Sequence, residues 1–294
     1  MIPLYTSEYL AAKKLRHERR VREVTDFATL RQTTVVRVVG AVRESTSGVA
    51  PGQLAEALLA LNLTGFGEDT RTGDFFVQLT GDEGQQWFWD SGKAAIDKEL
   101  TKVQDAITHG DTTHVSVFAI APIPLLVYLG SQLDDKTETL LFERHRTSVD
   151  NPWVWPQHPD PAPDFDVIVR DEGARNASDV VVMVSVSADV SIDRIPASLR
   201  GLPLVEVRPS TAPPRSGLID SLRALDAFAK AWRACLVQVE RQWPSARTIH
   251  VIAAVPVTAA IQMGRDRMRT AQPDLVLYQR TDHATYTQVL EVTG

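Results

Sequence analysis

The sequence predicts an α/β protein of two tandem Rossmann-like halves, each built on a parallel sheet and related by pseudo-symmetry. Stretches rich in valine, isoleucine and other apolar residues alternate with helical stretches of ten or more residues. This is the pattern of a mostly parallel sheet with right-handed crossovers. The chain of 294 residues is also long enough for two units of about 150 residues with full cores. In addition, the second half repeats a pattern of the first.

The repeat is clearest in two apolar runs, HVSVFAIAPIPLLVYLG and IHVIAAVPVTAAIQMGR. Pro256 follows Pro122 by 134 residues, and Gly264 follows Gly130 at the same offset. With two residues inserted, the next strands align in their last residues, Phe142-Glu143-Arg144 with Tyr278-Gln279-Arg280. These offsets predict an internal duplication, in which two copies of one unit pair edge to edge and their loops line one composite cleft.

In the first half, β-branched and apolar stretches predict strands, and apolar residues at helical spacing predict helices. The strands are 34–42, 75–79, 115–121 and 139–142, and the helices are 53–61, 92–109 and the apolar run ending at 129. A basic helix at 6–23 precedes them. Its lysines and arginines are typical of a solvated face, and a docking surface for an acidic partner or nucleic acid is the alternative.

The second half begins after a proline-rich connection. Five prolines between residues 152 and 163 exclude regular structure there, so we place the boundary between domains 1–160 and 161–294 in this segment. Strands are predicted at 165–169, 180–187 and 204–207, and helices at 195–199 and 216–243, before the repeated unit. The strand at 165–169 is a candidate to close the first sheet.

Composition and charge narrow the classes of function. The net charge of −6 argues against general nucleic-acid binding, because proteins that neutralise many phosphates are usually basic. The single cysteine, Cys235, excludes an intramolecular disulfide and a thiolate metal cluster. The longest apolar run is interrupted by prolines and is too short to span a bilayer. We therefore expect a soluble, cytoplasmic protein without a cofactor.

Ligands of open parallel sheets bind beyond the carboxyl ends of the strands, where free N–H groups at helix starts favour phosphate. The loops expected there are 42–51, 122–126, 187–194 and 256–260. Arg144 and Arg146 follow a strand end and could hold phosphate, with surface salt bridges as the alternative. Trp153 and Trp155 could stack on unpaired bases, with packing beneath the connection as the alternative.

Signatures of catalysis are scarce. The sequence has no G-x-S-x-G elbow, Walker loop, H-E-x-x-H or C-x-x-C motif, and its histidines show no metal-ligand spacing. Four charged residues near two predicted strands suggest a metal-dependent nuclease as an alternative: Asp164, Asp166, Glu206 and Arg208. Solvated side chains at strand ends are the more common explanation of such acids. We accordingly predict no catalytic residue and no metal site.

The apolar run with its two prolines, followed by LFERHR and NPWVW, resembles the SAVED domain family, and the run IHVIAAVPVTAAIQMGR agrees with it. This family is a sensor module of the CBASS and type III CRISPR anti-phage systems, in which two CARF-like halves are fused in one chain. The resemblance covers residues 30–294. It implies binding of a cyclic oligonucleotide, typically cyclic tri- or tetra-adenylate, and head-to-tail oligomerisation that activates an effector. Because few residues precede the first strand, we expect a stand-alone sensor with a separate effector, or an excised domain.

Carried over to this sequence, the resemblance implies ligand contacts and loop-shaping residues near the prolines and the basic cluster. These candidates are Arg144, Arg146, Trp153, Trp155, Pro122, Pro124, Leu125, Ser187, Thr258 and Arg265. The leading hypothesis is a non-catalytic sensor that binds no membrane. The alternatives are a ring nuclease that degrades the cyclic ligand, the metal-dependent nuclease, and a scaffold subunit whose basic N-terminal helix binds the effector.

Overall fold

The computed structural model describes residues 30–40, 50–65, 75–133, 136–145, 151–156, 159–280 and 285–294. The helix predicted at 6–23 and most of the loop 42–51 lie outside these residues. The first sheet contains β1 (Arg31–Gly40), β2 (Leu63–Gly65), β3 (Phe75–Leu79), β4 (His114–Ile120) and β5 (Glu138–Phe142). The helices between these strands are α1 (Pro51–Leu59), α2 (Gln86–Thr108) and α3 (Ile123–Gln132).

All pairings described in the first sheet are parallel. β2 and β3 lie one after the other along one edge of β1, and β4 and β5 follow on its other side. Every residue of β4 is buried, because this central strand is covered on both faces. The prediction of a parallel α/β half is confirmed.

The second sheet is mixed. Its strands are β6 (Phe165–Asp171), β7 (Asp179–Ser185), β8 (Leu204–Pro209), β9 (Thr248–Ala254), β10 (Asp274–Gln279) and β11 (Thr287–Val292), in the order β11-β10-β9-β7-β8-β6. The four inner strands are parallel, whereas β6 and β11 run antiparallel to their neighbours at the edges. The expectation that 165–169 closes the first sheet is therefore wrong. A short apolar strand suits either sheet edge, and only the pairing with β8 decides which.

Two helices flank the second sheet: α4 (Leu222–Gln242) and α5 (Val257–Arg265). The sequence predicted that α4 would begin at 216, but it begins after Ser221, whose side chain accepts a hydrogen bond from the backbone N–H of Ala224. The helix predicted at 195–199 is two short 3₁₀ turns, Ile192–Arg194 and Ala197–Leu199.

The repeated glycines explain how the two halves join. A Cβ added to Gly130 of α3 would lie 1.8 Å from the carbonyl oxygen of Ile261, and one added to Gly264 of α5 would lie 1.8 Å from that of Val127. These contacts are equivalent under the offset of the duplication. The backbones of α3 and α5 therefore touch across a pseudo-twofold axis, and only glycine permits this approach.

No helix of the described part of the chain is both long and apolar enough to cross a membrane.

Candidate ligand-binding site

The carboxyl ends of the two sheets lie side by side. Glu143, directly after β5, bonds to the start of α5, and Gln279, the last residue of β10, donates to the carboxylate of Glu83 between β3 and α2 at 3.1 Å. We call the first of these junctions the seam and define it by six residues: Glu143, Arg144, His145, Trp155, Asp220 and Thr258. The predicted composite cleft would lie at this edge of both sheets.

A carboxylate from the first half occupies the start of helix α5 in the second. Oε2 of Glu143 accepts hydrogen bonds from the backbone N–H of Thr258 at 3.0 Å and from its Oγ1 at 2.7 Å. The first N–H groups of a helix have no partner within the helix, so this carboxylate satisfies them. Burial raises the pKa of Glu143, and these hydrogen bonds offset the rise only in part. Thr258, a predicted ligand residue, is 0% exposed and engaged by Glu143.

Beside this contact, three buried polar atoms have no hydrogen-bond partner among the described residues. They are His145 Nε2, Trp155 Nε1 and Asp220 Oδ1. The rings of His145 and Trp155 meet edge to face with centroids 5.0 Å apart. Burial lowers the pKa of His145, and the charge of Asp220 offsets part of that effect. An unpaired buried polar group costs about 1–3 kcal/mol, so the seam has hydrogen-bonding capacity that these residues leave unused.

Arg144 lies between Glu143 and His145 in the chain and is half-buried. None of the ion pairs or side-chain hydrogen bonds found among the described residues engages its guanidinium. Arg144 follows the end of β5 by two residues, as the sequence predicted. Its role in holding phosphate stays a prediction. Arg146, the other predicted arginine, lies outside the described residues.

Trp153 anchors the connection between the halves. Its ring is 1% exposed and packs against Phe118 of β4, with centroids 5.4 Å apart. Oδ1 of Asn151 accepts a hydrogen bond from the Trp153 backbone, which fixes this turn of the connection. With no face of Trp153 exposed, the geometry favours the packing alternative over stacking on a base. Trp155 is 8% exposed, and only its unpaired N–H marks it as a ligand contact.

The remaining predicted residues divide by position. Pro122, Pro124 and Leu125 are buried at the start of α3, whereas Ser187 is half-buried and donates its N–H to the carbonyl of Ala254 at 2.7 Å. Arg265 lies apart from them. It ends α5 and donates to the carbonyl oxygen of Thr137, just before β5 begins, so it belongs to the amino edge of the sheets.

Of the acids of the alternative nuclease, Asp164 and Asp166 are exposed, whereas Glu206 is held by protein partners. Glu206 is buried, with Oε2 2.7 Å from Nε of Arg170 and Oε1 3.2 Å from the hydroxyl of Ser185. Within the described ranges, no group of three or more His, Cys, Asp or Glu side chains could hold a metal ion. The geometry therefore gives no support to metal-dependent cleavage by Glu206.

Sequence reasoning overlooked an exposed tryptophan near the second junction. Trp87, in the segment QQWFWD, is the second residue of α2 and is 54% exposed, whereas Trp89 is buried in the core. Residues i and i+2 of a helix lie on nearly opposite faces, so Trp87 and Trp89 cannot both face the core. This spacing in the sequence could have predicted that one of the two tryptophans is exposed.

Comparisons with known proteins agree with this architecture. The solved structures that share the fold include three of Cap4 SAVED/CARF-domain containing receptors. The receptor of Acinetobacter baumannii with the cyclic trinucleotide 2'3'3'-cAAA has a TM-score of 0.59 at 14% identity over 89% of this chain and 52% of that one. The same receptor with 3'3'3'-cAAA gives 0.57 at 16% identity, over 78% and 50%. That of Moraxella osloensis gives 0.51 at 15%, over 76% and 48%.

The chain thus spans about half the length of these receptors. No curated protein matches its sequence. The model of one protein family does match, over residues 96–292: the "SMODS-associated and fused to various effectors sensor domain", SAVED. This match covers more than half of the sequence, and the chain belongs to the SAVED family.

Proposed function

We propose that this chain is a non-catalytic sensor that binds a cyclic oligonucleotide, a cyclic tri- or tetra-adenylate, at the seam and the neighbouring carboxyl edge of both sheets. The observation that carries the proposal is the unused hydrogen-bonding capacity of His145, Trp155 and Asp220 beside Arg144, at the junction of two related halves. Two structures of the Acinetobacter baumannii Cap4 receptor are complexes with a cyclic trinucleotide of adenylate, which supports the same ligand class here.

The chemistry of the seam suits such a ligand. The Arg144 guanidinium can hold a phosphate through two parallel hydrogen bonds. The N–H of Trp155 and the carboxylate oxygen of Asp220 offer one donor and one acceptor, the pair that a nucleobase edge or a ribose hydroxyl requires. Burial keeps His145 neutral at pH 7, since it lowers the pKa of the imidazole, so Arg144 supplies the positive charge of the seam.

Binding would then be transmitted by self-association. A ligand made of repeated units, held between two related halves, can present part of its surface to a second copy of the chain. We propose that this assembly activates a separate or covalently attached effector in anti-phage defence. Size-exclusion chromatography with and without ligand tests this self-association. We expect a larger species only when ligand is present.

Alanine at Arg144 is expected to raise the Kd for cyclic tri-adenylate at least tenfold, about 1.4 kcal/mol. Isothermal titration with cyclic di-, tri- and tetra-adenylate measures the affinity, at two salt concentrations because a phosphate contact weakens with salt. The matched control is Arg175→Ala, which removes the same charge from an exposed position in the turn before β7.

Equal affinity of both variants and the wild type would exclude Arg144 as a phosphate contact. Failure of the wild type to bind any ring size would overturn the proposed function itself. The ring nuclease alternative is decided on the same samples, because linear products after incubation with labelled ligand would show cleavage.

A further inference from the structure

Trp87 differs from every other tryptophan of the chain. All six tryptophans lie within the described residues, and five of them are buried in the core. The Trp87 ring is 54% exposed. A large aromatic surface left in water forgoes about 25 cal/mol for each Å² that burial would remove. Single exposed apolar residues are common, so the inference depends on how this ring is held and where it lies.

The ring is seated on a glycine. Gly81 has a φ of +123°, a conformation that L residues rarely adopt, and it lies between β3 and α2. A Cβ at Gly81 would be 2.3 Å from Cη2 of Trp87 and 2.8 Å from Cζ3. The outer atoms of the indole therefore rest directly against the Gly81 backbone. This contact positions the ring in advance while much of its surface remains exposed.

The location is the carboxyl edge of the first sheet, where it meets the second half. Trp87 follows Gln86, whose side-chain amide donates to the carbonyl oxygen of Val289 in β11 at 3.4 Å. Glu83, in the turn that leads to α2, accepts the hydrogen bond from Gln279 at the end of β10. The exposed ring thus lies beside the second junction, where Gln279 contacts Glu83. The unpaired polar atoms of His145, Trp155 and Asp220 lie at the seam.

We propose that Trp87 is a stacking platform for an unpaired nucleobase of the ligand. The inference rests on the proposed function and deepens it, because it adds a base-binding position that neither the sequence motifs nor the seam supplied. Stacking of a base on an aromatic side chain tolerates any base, since every base has a π-face. Trp87 would therefore contribute affinity, and the hydrogen-bonding groups of the seam would contribute the choice of base.

The first test compares affinities for cyclic tri-adenylate by isothermal titration. Trp87→Ala is expected to raise the Kd between about 5-fold and about 150-fold, the range that stacking on one base implies. Trp87→Phe should lie between the wild type and Trp87→Ala, because a smaller ring retains part of the stacking. Met268→Ala is the control, since Met268 is 57% exposed and lies beyond the far end of α5, at the amino edge.

The second test uses tryptophan fluorescence. Because the other five tryptophans are buried, a base stacked on Trp87 should quench emission in the wild type. The quenching should be weaker in Trp87→Phe, which keeps only the effect of the ligand on Trp155 at the seam. Trp87→Ala removes the contact with Gly81 and should lower the unfolding temperature slightly, so the affinities are compared at a temperature where thermal unfolding shows every variant to be folded. Unchanged affinity and unchanged quenching in both Trp87 variants would overturn the inference and leave the proposed function intact.

A different outcome would assign Trp87 to protein association. In that case Trp87→Ala would bind ligand as the wild type does but would fail to form the larger species in size-exclusion chromatography. That result would overturn the stacking role. Absence of binding by the wild type to any cyclic oligonucleotide would remove the proposed function, so the two failures are distinguishable.

Discussion

Replacing Gly264 by alanine is expected to lower the free energy of unfolding by about 2 kcal/mol or more. The added Cβ would lie 1.8 Å from the Val127 carbonyl oxygen and 2.7 Å from the Ser131 backbone nitrogen, so no side-chain rotation relieves the overlap. Overpacking costs about 1–3 kcal/mol, and more where backbone must move. The better helix propensity of alanine returns about 1 kcal/mol of this. Urea unfolding measures the net effect.

Gly52→Ala is the matched control for this prediction. Gly52 also lies in a helix, α1, but a Cβ there meets nothing within 4 Å. Its alanine variant should be neutral or more stable by up to about 1 kcal/mol. Gly130→Ala should behave like Gly264→Ala, because the two positions are equivalent across the pseudo-twofold axis. The double variant should cost less than the sum, since one separation of the helices relieves both overlaps. Additive costs would contradict a shared contact.

Glu143→Ala is expected to destabilise the protein by about 3 kcal/mol, since it leaves buried donors of Thr258 without an acceptor. The Thr258 N–H and Oγ1 would both lose Oε2 of Glu143, and the site is closed to water. Glu143→Gln should cost less, because its amide oxygen can still accept, and Gln279 occupies the equivalent position of the second half. Equal losses for both variants would show that the negative charge, and not the acceptor oxygen, holds the two halves together.

A comparison of the wild type with Glu143→Gln across a range of pH tests the direction of the Glu143 pKa. Burial raises this pKa above the ordinary value of 4.5, so the folded state holds the proton more tightly than the unfolded chain. The stability from this group is fully present below pH 4.5 and is lost as pH rises through the folded pKa. The wild type should therefore lose stability relative to Glu143→Gln as the pH rises above this value. A relative gain with pH would mean that the hydrogen bonds outweigh desolvation.

The duplication was the most informative sequence signal for the fold. Its offsets predicted two related halves. Gly130 and Gly264, which the 134-residue offset relates, proved to lie where the backbones of α3 and α5 touch. The edge strand β6 was assigned to the wrong sheet. Apolar alternation identifies a strand because it reflects a local pattern, but it carries no information on which neighbour the strand pairs with.

The candidate site was predicted less well than the fold. The carboxyl edge and Arg144 were placed where the structure has them, since strand order and loop position follow from the βα pattern. The tryptophans were not distinguished, because a tryptophan suits a core and a stacking surface equally. Trp153 proved to be core, and Trp87, which the sequence reasoning passed over, proved to be exposed. Asp220 was also missed, because it lies 75 residues from His145 in the sequence.

The sequence by itself determined the α/β class, the doubled architecture and the family, since these depend on periodicity, repeat offsets and motifs that lie along one dimension. Only the tertiary structure decided which polar groups meet across the junction of the halves. It placed Glu143 on the start of α5 and left His145, Trp155 and Asp220 with unpaired atoms. The physical reason is that burial and pairing depend on contacts between distant segments, which local patterns do not specify.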